Sequence, residues 1–221
     1  MREEAAHSLL LDALVTDADA ELDRIAASSL SQQLADCSVG RTRYAKFLSD
    51  LYPVVRHFCP TIAAAASRCP DAFVDVRSFL YAHAEEENGH ELWVLEDCEA
   101  IGGAELVARV KDGRPAAEIQ GLIGFHYATI EREHPLAVLG MIFALESIAT
   151  RVAGRAALSV SKALQLSGGE GVRFLSSHGP MDEGHLAELK KVVGRIEDPA
   201  AASAIRNAAA VTFQLFGAVF R

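Results

Sequence analysis

The stretch SSHGPMDEGH at 176–185 holds two histidines and two acids inside a segment whose flanks read as helix. At about 100° per residue, His178, Asp182 and His185 fall at about 0°, 40° and −20°, one narrow stripe. His178 and His185 stand about 10 Å apart along the axis. That is awkward for one ion but suits two ions about 3.5–4 Å apart, with Asp182 serving either or bridging both. A solvated polar face would give the same pattern, so the stripe needs support from other segments.

Glu146 supplies some. It sits in LGMIFALESIATRV, directly after a run of apolar residues. An ionised carboxylate buried there without a partner costs several kcal/mol, so it must be paired, protonated or metal-bound. Arg151 and Arg155 are the local candidates for a salt bridge, but they point about 140° and 180° away on a helix. A third stretch, YAHAEEENGHELW, places His83, Glu87, His90, Val94 and Asp97 on one stripe, with Glu86 at its edge. Glu87 and His90 form E-x-x-H, the spacing at which a helix-borne carboxylate and imidazole meet at one ion. Three imidazoles with three carboxylates suit Fe(II), and Mn(II) less well, because softer metals favour thiolate.

A second E-x-x-H, Glu131 and His134, would suit a ferritin-like plan. However, His134 precedes Pro135 and so lies at a helix boundary. That plan also leaves the His178–Asp182–His185 stripe without a purpose.

These segments need helices to carry them, and the breakers predict about seven. The first covers 3–35, broken near Asp17–Asp19. The second covers 41–69, bent at Pro53 and Pro60. The third runs unbroken from Pro70 to Gly102–Gly103, the fourth over 116–133, and the fifth from Pro135 to Gly168–Gly169. The sixth spans 170–196 and the seventh starts at Pro199. Gly179, Pro180 and Gly184 weaken the sixth by roughly 1 kcal/mol per glycine and about 3 for proline, so it needs metal ligation to hold it. No repeat or linker marks a boundary, which predicts a single all-helical domain over 1–221.

Order, spacing and residue types together resemble the heme-oxygenase-like di-iron oxidases and oxygenases. These share their helical fold with heme oxygenase, the TenA-like thiaminases and pyrroloquinoline-quinone synthase. The residues that carry the resemblance are E-x-x-H, a glutamate about sixty residues on, and H-x-x-x-D-x-x-H about thirty further. YAKFLSDLYPVVRHF also resembles the family's second helix, and the match covers about 80–220. The resemblance implies an all-α, heme-oxygenase-like (TenA-like) bundle. It implies two irons held by Glu87, His90, Glu146, His178, Asp182 and His185, with O2 as co-substrate. His83 stands where some members place their first glutamate; it could be a further ligand, a group behind the ligands together with Glu86, or a core residue. The implied substrates are small: amino acids or amines undergoing N-oxygenation or C–C scission, or fatty acids undergoing oxidative decarboxylation. Arg151, Arg155 and Tyr127 could anchor a substrate carboxylate.

Other readings remain open at this level. A metal-free TenA-like or quinone-synthase-like enzyme would use the same groups for acid–base work, with Cys98 as the available thiol. Heme oxygenase would need His7 as its axial ligand. A ferritin-like protein, or a metal-binding or partner-binding helical protein without activity, would hold ions and consume no oxygen.

Composition narrows the partners. A net charge of −9 over 221 residues argues against nucleic acid and against anionic membranes. The N-terminus is acidic where a signal peptide would be basic, and no apolar segment approaches the roughly 18 residues that span a bilayer. The four cysteines show no paired spacing and read as free thiols of a cytoplasmic protein. A homodimer through an apolar face such as that of the seventh helix is a further expectation.

Overall fold

The computed structural model describes residues 9–221, apart from the side chains at 179, 180 and 182. His7 and the side chain of Asp182 therefore lie outside the described residues. The described chain is helical throughout and contains no strand. Its α-helices are α1 (Leu9–Ala26), α2 (Ser29–Ala35), α3 (Arg41–Arg68), α4 (Val74–Glu86), α5 (His90–Asp112), α6 (Ala117–Arg132), α7 (Val138–Leu164), α8 (Arg173–Val193) and α9 (Pro199–Gly217). Single 3-10 turns lie at Asp71–Phe73, Pro135–Ala137 and Ala218–Phe220.

Two helices expected to be continuous, or broken elsewhere, differ in an instructive way. The first break falls at Ala27–Ser28, not near Asp17–Asp19. Ser28 is extended, and its hydroxyl donates to the Ile25 carbonyl, offering the backbone an alternative to helix. Asp19 is exposed on α1, and Asp17 pairs with Arg206 of α9 at 2.7 Å. The third expected helix divides into α4 and α5 at residues 87–89. Gly89 adopts φ 95°, a left-handed conformation that costs glycine little, and Asn88–Gly89 is a turn signal inside an otherwise helical pattern. A second break, at Gly103 with φ 63°, interrupts α5 where the Gly-Gly pair predicted a stop. Pro53 and Pro60 both lie within the 28 residues of α3.

Helix α7 is the centre of the bundle and packs most extensively against α8 and α9. By length and composition, Pro135–Leu164 is apolar enough to cross a membrane, contrary to the expectation from sequence. Its most apolar window is 72% buried inside the protein, as suits the central helix of a core. Close approach of α7 and α9 depends on Gly140, where a Cβ would stand 2.0 Å from the Ile205 carbonyl oxygen. Gly140→Ala must force these helices apart. We expect a loss of about 1–3 kcal/mol, read as a lower urea midpoint at unchanged slope.

Candidate metal centre

Four pieces of chain bring their polar side chains to one place between α4, α5, α7 and α8. His83 and Glu86 come from the last turn of α4, Glu87 and His90 from the α4–α5 junction, Glu146 from α7, and His178 and His185 from α8. His83, Glu87, His90, Glu146 and His178 are all buried, between 2% and 6% exposed. Such a concentration of titratable groups inside an apolar core calls for charge compensation.

The donors form two groups. In one, donor atoms of Glu87, His90 and His178 lie within 4.8 Å of one another; in the other, those of His83, Glu86 and His185 do. Glu87 stands at the seam. Its Oε2 is 2.9 Å from His90 Nδ1 and 3.6 Å from His178 Nε2, while its Oε1 is 3.3 Å from His185 Nδ1. Burial opposes ionisation of Glu87, but hydrogen bonds with His178, His185 and His90 outweigh it and hold the carboxyl well below its usual range. His185 Nε2 lies 3.2 Å from Glu86 Oε2. The axial separation of His178 and His185 thus places one imidazole in each group.

Glu146 has no arginine partner. Its Oε1 is 3.0 Å from His83 Nε2 and 3.7 Å from His185 Nδ1. Distance alone would make the first of these a hydrogen bond, but the ring N–H of His83 is not aimed at the oxygen. Among the described residues neither oxygen of Glu146, nor Nε2 of His83, has a hydrogen-bond partner. Burial pushes the Glu146 carboxyl up, with His83 and His185 pulling the other way. Buried donor atoms that converge without hydrogen bonds are what a cation between them would satisfy, so the donor set fits a metal.

Neighbouring groups fix the imidazoles. His178 Nδ1 is 3.0 Å from the Phe174 carbonyl, which can only accept, so Nδ1 carries a proton and Nε2 is the ring nitrogen that faces Glu87. His178 also stacks on Phe174, His90 on Trp93 with centroids 4.0 Å apart, and His83 on Phe79. Asp97, on the third-segment stripe, has a different task. Its carboxylate accepts from the backbone N–H of Arg173 at 2.7 Å and of Phe174 at 2.9 Å, capping α8 from across the bundle. Burial pushes its carboxyl up to about 6 although both amides pull it down. Asp97→Ala should cost about 1–2 kcal/mol in thermal or urea unfolding. It should also weaken metal uptake through the altered pose of α8.

The second E-x-x-H is structural. Glu131 pairs with Arg68 at 2.6 Å on the surface, and His134 Nδ1 accepts from the Leu136 amide at the start of a 3-10 turn.

A family model described as iron-containing redox enzyme matches residues 45–217. The chain belongs to that family. No curated protein matches this sequence. Among solved structures, similarity is high in fold and low in sequence. A domain of unknown function with a heme oxygenase-like fold from Shewanella denitrificans superposes with a TM-score of 0.84 at 20% identity, covering 95% of this chain and 90% of that one. A TenA homologue from Pseudomonas syringae gives 0.81 at 16% identity, over 99% and 94%. The heme oxygenase from Leptospira interrogans gives 0.75 at 14% identity, over 96% and 98%. The fold is therefore the heme oxygenase/TenA-like one.

Within this iron-containing redox family member, the arrangement adds two groups that sequence reasoning left undecided. His83 sits in the second donor group with its ring edge-on to His185, and Glu86 reaches the same group from the exposed end of α4. The signal for His83 was its position four residues before Glu87, one helical turn away. Cys98, the thiol available to a thiaminase-like reading, is fully buried and pushed up to about 12 by burial and by Asp97. A thiol in that setting is not a nucleophile. Arg151 pairs with Asp23 on the surface, Arg155 is exposed, and Tyr127 meets His57 at 3.2 Å. None of the three faces the donor groups.

Proposed function

We propose that this chain is a non-heme di-iron oxidoreductase that uses O2 to oxidise or oxygenate a small substrate. One observation carries the reading: two neighbouring groups of imidazole and carboxylate donors, the first wholly buried and the second reaching the surface at Glu86, meet at Glu87. Glu87, His90 and His178 would hold one ion. His83, Glu146 and His185 would hold the other, with Glu86 beside them. Asp182 is proposed as a further ligand from its place between His178 and His185 in the sequence. Nitrogen and oxygen donors without thiolate favour Fe(II) over softer metals.

Bound iron would supply reduction of O2 and the oxidising power to act on a C–H, C–C or N–H bond of the substrate. The chain's own residues do the rest. The Phe174 carbonyl engages Nδ1 of His178 and orients the ring, so that Nε2 is the atom that would bind a metal. Phe58, Phe79 and Phe174 crowd the imidazoles and exclude water. Glu86, the exposed member, is the group through which protons could reach the centre.

Anaerobic reconstitution with Fe(II) tests the reading. We expect two irons per chain by metal analysis, and a transient visible band with oxygen uptake on exposure to air. A chain that takes up no iron, or takes it up and consumes no oxygen, is not a di-iron oxidase.

A further inference from the structure

Trp93 is the only tryptophan of the chain, and it stands against the group formed by Glu87, His90 and His178. It follows His90 by three residues on α5, so the two side chains share a helix face. Their ring centroids are 4.0 Å apart at an interplanar angle of 22°, a stacked contact. The indole also meets His178 edge-on at 5.9 Å. It therefore touches both imidazoles of a group whose three members are all buried. Trp93 itself is only half-buried, and the guanidinium carbon of Arg173 lies 5.0 Å from its ring centroid. Arg173 is 50% exposed and pairs with the equally exposed Glu96. One aromatic side chain thus joins the buried imidazoles to the solvent.

Packing alone does not ask for an indole here. Phe174 stacks on His178 with centroids 3.8 Å apart and Phe79 on His83 at 5.5 Å, so phenyl rings cover the neighbouring donors. What an indole adds is the capacity to lose and regain one electron, which a phenyl ring does far less readily. An apolar cavity of about 100 Å³ also reaches the donors, with Glu87, Glu146 and His178 in its wall. Trp93 is not among its described lining residues, so a route through the indole stays clear of that cavity.

We propose that Trp93 is the port through which single electrons reach the metal centre from an external one-electron reductant. The proposal rests on the di-iron reading for what lies behind His90, and on the ring contacts for the route. Full reduction of O2 takes more electrons than oxidation of one substrate bond supplies, so the remainder must come from outside. In each transfer the indole gives one electron to the oxidised centre and becomes a radical cation. No bond is made or broken, and the indole proton stays in place. The reductant, meeting the exposed part of the ring, returns one electron to it and is itself oxidised by one. Arg173 guards the port: a cation over an aromatic face attracts the neutral ring and repels the oxidised one, so the indole yields its electron only to a strong oxidant.

The outer and inner steps are read separately on the full-length protein. In the metal-free protein, oxidised methyl viologen should quench the fluorescence of the single indole by taking an electron from it. The Fe(II)-loaded protein is then mixed with O2 without reductant and frozen at intervals for electron paramagnetic resonance. We expect a radical whose lines narrow when the tryptophan is ring-deuterated, which assigns it to Trp93 because the chain has no other tryptophan. Re-reduction of the oxidised protein is followed with reduced methyl viologen. Trp93→Phe keeps a stacked ring and both irons, but it should lose the radical and accept electrons severalfold more slowly. Trp93→Tyr, again oxidisable, should recover most of that rate, which a purely packing role would not predict. An indole that methyl viologen does not quench, the absence of any tryptophan radical, or an unchanged rate in an iron-loaded Trp93→Phe overturns the port and leaves the di-iron reading standing. A wild-type protein that takes up no iron overturns both.

Discussion

Glu87→Ala is expected to bring iron content from two per chain to none, and O2-dependent turnover to background. The reason is its position at the seam. One oxygen faces His90 and His178 and the other faces His185, so a single side chain serves both donor groups. Removing any other donor touches one group only, whereas removing Glu87 takes away the carboxylate that His90, His178 and His185 share. Metal analysis after anaerobic loading measures this directly, with Glu86→Ala as the comparison. Glu86 is exposed and touches only the His185 side, so that variant should keep the ion held by Glu87, His90 and His178. Retention of one iron by Glu87→Ala would show that the carboxylate belongs to one group only.

The second large effect is on stability. Each ion bound only by the folded chain stabilises it by mass action, the first alone by about 4 kcal/mol when free metal is a thousandfold above its dissociation constant. For a chain of this size that corresponds to a melting temperature roughly 8–16 °C higher. The gain should concentrate in α8. This helix carries Gly179, Pro180 and Gly184, which together weaken a helix by about 5 kcal/mol relative to alanine. It is tied to its neighbours near those residues through His178 and His185. Hydrogen exchange with and without Fe(II) should show amides of 176–186 protected most strongly by metal. Equal protection in both states would mean that packing alone holds α8.

Much of the architecture was legible before any coordinates. Apolar residues at helical spacing, punctuated by Gly-Gly and Pro, predicted an all-helical bundle, and the helices over 41–69, 116–133, 135–166 and 199–220 fall where these signals put them, within a few residues at each end. Local reading failed where a weak signal lay inside a strong one. Asn88–Gly89 was submerged in a helical run of acids, and Ser28 competed unnoticed with the more visible Asp17–Asp19. The apolar run of α7 read as falling short of a membrane span because Glu146 and Arg151 interrupt it, although its length and hydropathy suffice.

For the candidate centre, sequence alone determined which side chains share a stripe: His178 with His185, Glu87 with His90, and Glu146 on an apolar helix with no arginine beside it. Each statement concerns one helix and its own axis, and angular arithmetic needs nothing more. Only the tertiary structure decided what each stripe faces. It made Glu87 common to two donor groups, brought His83 to Glu146, turned Asp97 away to cap α8, and ended an apolar cavity on the donors. The reason is that a helix fixes directions within itself, while distances between helices depend on side-chain volumes summed over the whole core, such as the missing Cβ at Gly140 and the alanines of α7.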